Sequence, residues 1–164
     1  MTDISQEISE LAPSGGFAAA EYNAVATAAD LEGIVLLNCN FQLDPEFLGR
    51  RKEWRLSYGR NVKSCQYSSD QNSVAGVFQY YVTAKVGRRR AFHCVADYAV
   101  FYAVPEGSTE EAAQGFCKNV GRFAAYPYFR GLAATLAAEA NVMLPPLPSI
   151  ASTAHIPPKK KEHE

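Results

Sequence analysis

The sequence predicts an α+β domain: a four-stranded antiparallel sheet followed by two C-terminal helices. Three observations carry this. Four stretches alternate apolar and polar residues, an arginine-rich glycine turn joins the last two, and from Ser108 onward the apolar spacing becomes helical. A chain of 164 residues, 48% hydrophobic, fits one domain with a sizeable core. Residues 1–16 end in Pro-Ser-Gly-Gly and are expected to be a mobile arm, residues 17–150 form the domain, and residues 151–164 are expected to be a disordered tail. That tail carries Pro157-Pro158 and Lys159-Lys160-Lys161 and has too little apolar surface to order itself.

Each element has its own signal. Phe17 to Asp30 is alanine-rich and reads as a short helix. After Gly33, Val35, Leu37, Cys39, Phe41 and Leu43 share one parity while Asn38, Asn40 and Gln42 share the other, which predicts a half-buried strand. Asp44-Pro45 breaks it. The second strand runs through EWRLSYGRNVKSCQY and places Trp54, Leu56 and Tyr58 together. VFQYYVTAKV and the stretch from Ala91 to Val104 form a hairpin, with Gly87-Arg88-Arg89-Arg90 as its turn. Aromatic residues on both parities, Tyr80/Tyr81 and Phe101/Tyr102, leave this sheet no face to spare for solvent, and self-association is the simplest cover.

Pro105-Glu106-Gly107 ends the sheet, and Ser108 with Glu111 has the spacing of a capping box. Ala113, Phe116, Cys117, Val120 and Ala124 then recur at helical spacing. Pro127 suits the first position of a second helix, whose apolar stripe is Phe129, Leu132, Ala133, Leu136 and Ala140. The helix is flanked by aromatic residues at its entry and by MLPPLPSI at its exit, an accumulation that marks either core or a greasy binding surface.

Several function classes find no support. Sixteen basic against seventeen acidic residues lack the positive excess of a dedicated nucleic-acid binder, and Arg88–Arg90 and Arg50-Arg51-Lys52 read as solvated turns. No catalytic or nucleotide motif is present, so the chain is expected not to be an enzyme and to need no cofactor. His93 and Asp97 lie about 13 Å apart by strand rise, too far for a dyad. His155 and His163 fall in the tail. Cys39, Cys65, Cys94 and Cys117 form no CxxC and no metal-ligand cluster, and read as buried, reduced thiols. Asp3, Glu7 and Glu10 occupy the place of a signal peptide, and no run approaches the ~20 apolar residues of a membrane span. The expectation is a cytoplasmic protein that does not insert in membranes.

RAFHCVADYAVF, GRFAAYPYFR and MLPPLPSI, taken in order, resemble the SecB family of export chaperones. The likeness runs from about Val77 to Ile150 and more loosely back to Ile34. It is nearest to the SecB-like chaperones that accompany toxin–antitoxin pairs, in which GRFA-x-YPY-x-R and LPPL occur much as they stand at 121–130 and 144–147. Members devoted to export carry an acidic tail towards the SecA motor, whereas this chain ends KKKEHE.

The resemblance implies an ATP-independent holdase that binds unfolded or precursor polypeptides in apolar grooves and serves protein export. It also implies a homotetramer, a dimer of dimers, and either SecA or an antitoxin as partner. Client contacts are expected at Phe41, Leu43, Phe47 and Trp54 around the first crossover. Tyr126, Tyr128, Phe129, Leu132, Met143, Leu144, Leu147 and Ile150 along the second helix and its exit complete the expected set. Subunit contacts are expected at Phe92 and Cys94 of the last strand and at Phe116, Val120 and Phe123 of the first helix. Two other readings stay open: a chaperone dedicated to one antitoxin, and a small-molecule-binding domain with its pocket between sheet and helix.

Overall fold

A computed structural model describes residues 19–149; the N-terminal arm, Ile150 and the tail lie outside the described residues. Helix α1 (Ala19–Ala28) precedes β1 (Asp30–Leu43), a 3-10 segment (Pro45–Glu53), β2 (Arg55–Ser68), β3 (Ser73–Val86) and β4 (Arg89–Ala103). A helical run follows: α2 (Glu110–Phe116), a π-helical turn (Cys117–Gly121), α3 (Arg122–Ala124) and α4 (Tyr126–Glu139). All strand pairs are antiparallel, in the order β1-β4-β3-β2. The expected α+β class and sheet are therefore formed. Because β1 and β2 occupy opposite edges, the Pro45–Glu53 segment must cross one end of the sheet, where it contacts both β3 and β4.

The central strands supply the core. Phe78, Tyr80, Val82 and Ala84 of β3 lie on one face with Phe92, Cys94, Ala96, Tyr98, Val100 and Tyr102 of β4, all buried. Phe129 stacks on Tyr80 at 5.6 Å, and Phe116 meets Tyr102 edge-on at 5.0 Å, so the helical run closes this face. The layer between sheet and helix, where the alternative small-molecule reading would place its pocket, is filled by these rings. Phe92, Cys94 and Phe116, expected at a subunit interface, are buried within this protomer's own core, Phe92 against Phe41 and Trp54 and Phe116 against Tyr102. Val120 and Phe123 remain part-exposed.

The single parity expected for β1 is broken. A register shift between Leu36 and Asn38 leaves Leu37 as an extra residue. Leu36 therefore pairs with Tyr98 on the same face as Cys39, Phe41 and Leu43, while Val35 pairs with Ala99 on the opposite face. The hairpin turn is also tighter than expected: Val86 pairs with Arg89 and Lys85 with Arg90, leaving Gly87-Arg88 as a two-residue turn. Gly87 has φ +58° at its first central position, the conformation such turns reserve for glycine. Arg89, now in the strand, reaches Glu46 at 2.8 Å and Asp44 at 3.1 Å and so pins the crossover to β4.

The far face of the sheet is polar at its centre. Asp97 accepts from Lys63 (3.0 Å) and Gln79 (2.9 Å), and His93 Nδ1 bonds Thr83 Oγ1 at 2.8 Å. His93 and Asp97 thus have separate partners. Burial, and then the nearby Arg90 charge, hold the His93 ring below its usual 6.5. The neutral ring is the form that fits, so its contribution is intact above the unfolded value and is lost as pH falls below about 6.5 through the folded one. Urea titrations between pH 5 and 8 are expected to show stability declining on the acid side, with a shallower decline in His93→Gln.

The first helix starts one residue later than predicted. Ser108 is taken by the preceding turn, its hydroxyl donating to the Pro105 carbonyl at 2.6 Å. The N-cap is Thr109, whose Oγ1 accepts from the Ala112 amide at 3.4 Å and donates to Glu21 at 3.0 Å, tying α1 to α2. Thr109→Ala is expected to cost about 1 kcal/mol, measured by chemical denaturation, whereas Ser108→Ala should cost less. The π turn lies over Phe78. A Cβ added at Gly121 would come within 2.5 Å of the Phe78 ring, and one at Gly76 within 2.6 Å of Cys117 Sγ and 2.7 Å of the same ring. These glycines let helix and strand close on a fully buried Phe78.

Candidate functional site

Helix α4 ends in a way that builds a groove. Asn141 takes φ +52°, its amide bonds the Ala138 carbonyl (2.9 Å), and the Val142 amide bonds Ala137 (2.8 Å). This is the Schellman arrangement, with buried Val142 as its apolar contact. It turns the chain back so that Met143 to Leu147 run alongside the helix they have just left. Between the two lies an open cavity of about 740 Å³. Gly131, Ala134 and Ala138 line its helical side, and Met143, Leu144, Pro145 and Pro146 line the other.

The groove exists because α4 presents small residues there. At Gly131 an added Cβ would meet nothing within 4 Å. On the other wall, Met143 is 88% exposed, an unbranched thioether able to fit varied shapes. Pro145, Pro146 and Pro148 restrict the exit backbone and remove its amide donors, so this wall is stiff and mostly apolar. The exit is fastened at both ends. Tyr126 Oη donates to the Pro148 carbonyl at 2.6 Å, and Leu147 is buried beside it. Arg51 of the crossover donates to the Asn141 carbonyl at 2.5 Å, which joins the crossover to the start of the exit.

The expected client residues divide accordingly. Met143 and Tyr128 are exposed, and Leu132, Leu144, Phe41, Leu43 and Trp54 are part-buried. Phe129, Tyr126 and Leu147 are buried and hold the groove's frame, not its surface. Phe47 is likewise interior: it packs with Val86 and Ala91, and the guanidinium groups of Arg89 (4.7 Å) and Arg50 (5.8 Å) cover its ring. Its carbonyl accepts from Trp54 Nε1 at 3.2 Å, while Phe41 meets Phe92 edge-on at 5.3 Å. A second, smaller cavity lies at this end of the sheet, lined by Gln42, Leu43, Pro45 and Arg90.

Sequence reasoning missed some exposed apolar surface. Leu31, Val35, Leu36 and Leu37 of edge strand β1 are between 44% and 55% exposed, as are Tyr58 and Val62 of edge strand β2. Ile34-Val35-Leu36-Leu37, four apolar residues in succession, was the available signal, since a run of this kind points to apolar surface on both faces of a strand. Cys39 is exposed and Cys65 part-exposed, contrary to the expectation of four buried thiols; among the described residues all four are free.

Among solved structures, the chain is similar to the SecB-like chaperone of Mycobacterium tuberculosis, determined in complex with a ChAD peptide from the HigA1 antitoxin. The two share a TM-score of 0.63 at 16% identity, over 80% of this chain and 97% of that one. The chain has a SecB-like fold. A protein of unknown function from Streptococcus agalactiae is a more distant match, with a TM-score of 0.32 at 10% identity over 71% of this chain and 96% of that one. No protein-family model matches the chain, and no curated protein does. In this SecB-like fold, the groove is formed by the YPYFR helix and the LPPL exit, two of the three stretches on which the sequence resemblance rests. No helix among the described residues is long and apolar enough to cross a membrane.

Proposed function

We propose that this protein is an ATP-independent polypeptide-binding chaperone, a holdase acting in the cytoplasm as a homo-oligomer, with neither enzymatic activity nor cofactor. The observation that carries this reading is the open groove between α4 and the Met143–Leu147 exit, a stiff apolar cleft with an exposed methionine on its rim. An extended, non-native segment would lay apolar side chains against Gly131, Ala134 and Ala138. Burial contributes roughly 25 cal/mol per Å² of apolar surface, most of it offset by ordering the client. Micromolar or tighter binding per segment is the expected net result, and several grooves on one oligomer would raise avidity.

A narrower reading, a chaperone dedicated to one antitoxin, is favoured by one observation: the solved structure of similar fold holds an antitoxin peptide. Affinity capture from the native cell distinguishes the two. One dominant small partner, bound through a short segment, supports the dedicated chaperone; a spectrum of unfolded precursors, with or without an export motor, supports the general one. Recovery of folded proteins only, unaffected by changes in the groove, overturns both.

A further inference from the structure

We infer that Cys65 and Cys117 form a peroxide-sensitive thiol pair that closes to a disulfide and fastens edge strand β2 to the π turn. Cys65 is directly opposite Gly76 in the β2–β3 register, and both lie on the face covered by the helices. A Cβ placed on Gly76 would fall 2.6 Å from Cys117 Sγ, so the Cys117 sulfur occupies the space left by the missing side chain. Facing positions on paired strands hold their Cβ atoms about 5 Å apart. A sulfur seated over Gly76 is therefore within reach of the Cys65 side chain. Strand β2 and the π turn that carry these two residues are in contact, and each thiol perturbs the other's protonation. Cys65 is part-exposed and Cys117 fully buried, which gives the pair one accessible partner and one protected partner.

The neighbouring Cys117 thiol, helped by the charge of Lys118, lowers the Cys65 thiol below its ordinary value against the opposing effect of burial, while the Cys65 thiol and burial raise Cys117. Cys65, the part-exposed partner, is the thiolate that meets oxidant, while the buried Cys117 is shielded from it. With hydrogen peroxide, the Cys65 thiolate attacks one oxygen, the O–O bond breaks, and after proton transfer the products are a sulfenic acid and water. The Cys117 thiol then attacks that sulfur and a second water leaves. Overall, two thiols lose two electrons and two protons, and one peroxide becomes two waters. Cys39 and Cys94 also neighbour each other, but they stand diagonally in the β1–β4 register, with Cys39 opposite Ala96 and Cys94 opposite Phe41. Diagonal positions lie about 7–8 Å apart, beyond the usual span of a disulfide.

The test is titration of free thiols in the full-length protein before and after brief treatment with dilute hydrogen peroxide, with peptide mapping under non-reducing conditions. The expected result is a fall from four reactive thiols in denaturant to two, a cross-linked peptide joining Cys65 and Cys117, and a melting temperature raised by several degrees and restored by dithiothreitol. Cys65→Ser should retain its other three thiols under the same brief treatment. Four unreacted thiols, a cross-link of Cys39 to Cys94, or Cys65 carried to sulfinic acid with Cys117 still reduced would each overturn the inference. The peptide map is made on the wild-type chain, so its outcome does not depend on any variant folding.

Discussion

Gly121→Ala is expected to destabilise the protein by about 1–3 kcal/mol, the range of an overpacked core. Helix propensity alone predicts the opposite, a gain of nearly 1 kcal/mol for replacing glycine in a helical segment. The geometry decides the sign. Gly121 has helical dihedrals, so it needs no unusual backbone, but its Cα lies against the Phe78 ring. That ring is 1% exposed and cannot retreat, because Gly76 bears on it from the strand side. Either the helical run lifts from the sheet or Phe78 leaves its rotamer. Gly76→Ala should act in the same direction through Cys117 and Phe78. Urea denaturation reads both; a neutral or stabilising Gly121→Ala would show that helix and sheet are not in this close contact.

Gly131→Leu is expected to separate folding from function. The position is exposed in mid-helix with open space around it, so leucine should raise stability by about 0.8 kcal/mol through propensity. The same side chain would occupy the groove whose other wall includes Met143 and Leu144. Client affinity should fall at least about tenfold, or ~1.4 kcal/mol, in a protein that melts no lower than wild type. The buried Leu147 is unsuited to such a test, since removing it would loosen the exit together with any client contact. Met143→Ser with Leu144→Ser is the complementary change on the other wall.

The sheet could be read directly because β3 places Phe78, Tyr80, Val82 and Ala84 at alternate positions, and all four are buried on the face that parity assigns. What escaped was whatever depends on a contact between distant segments. The β1 bulge moves Val35 and Leu36 to unexpected faces, and parity cannot register an extra residue. Ser108, with Glu111 three residues on, is the better cap by composition; the Pro105 turn consumes it and leaves Thr109. Phe47, an aromatic in a charged loop, looks exposed until Arg89 arrives from β4 to cover it. The exit was legible as an apolar accumulation, but its division into anchor and rim was not. That division follows from the Tyr126–Pro148 bond and the left-handed Asn141, which together set Leu147 inward and leave Met143 outside.

The proposed chaperone is tested most directly by aggregation of a chemically unfolded model protein, followed by light scattering on dilution, with wild type and Gly131→Leu added at equal concentration and without nucleotide. Near-stoichiometric wild-type protein should suppress the scattering, and Gly131→Leu, equally folded and in the same oligomeric state, should lose most of that protection. A wild-type protein that leaves aggregation unchanged, or a Gly131→Leu variant that protects as well as wild type, would contradict the assignment of the α4–exit groove as the place where an unfolded chain is held.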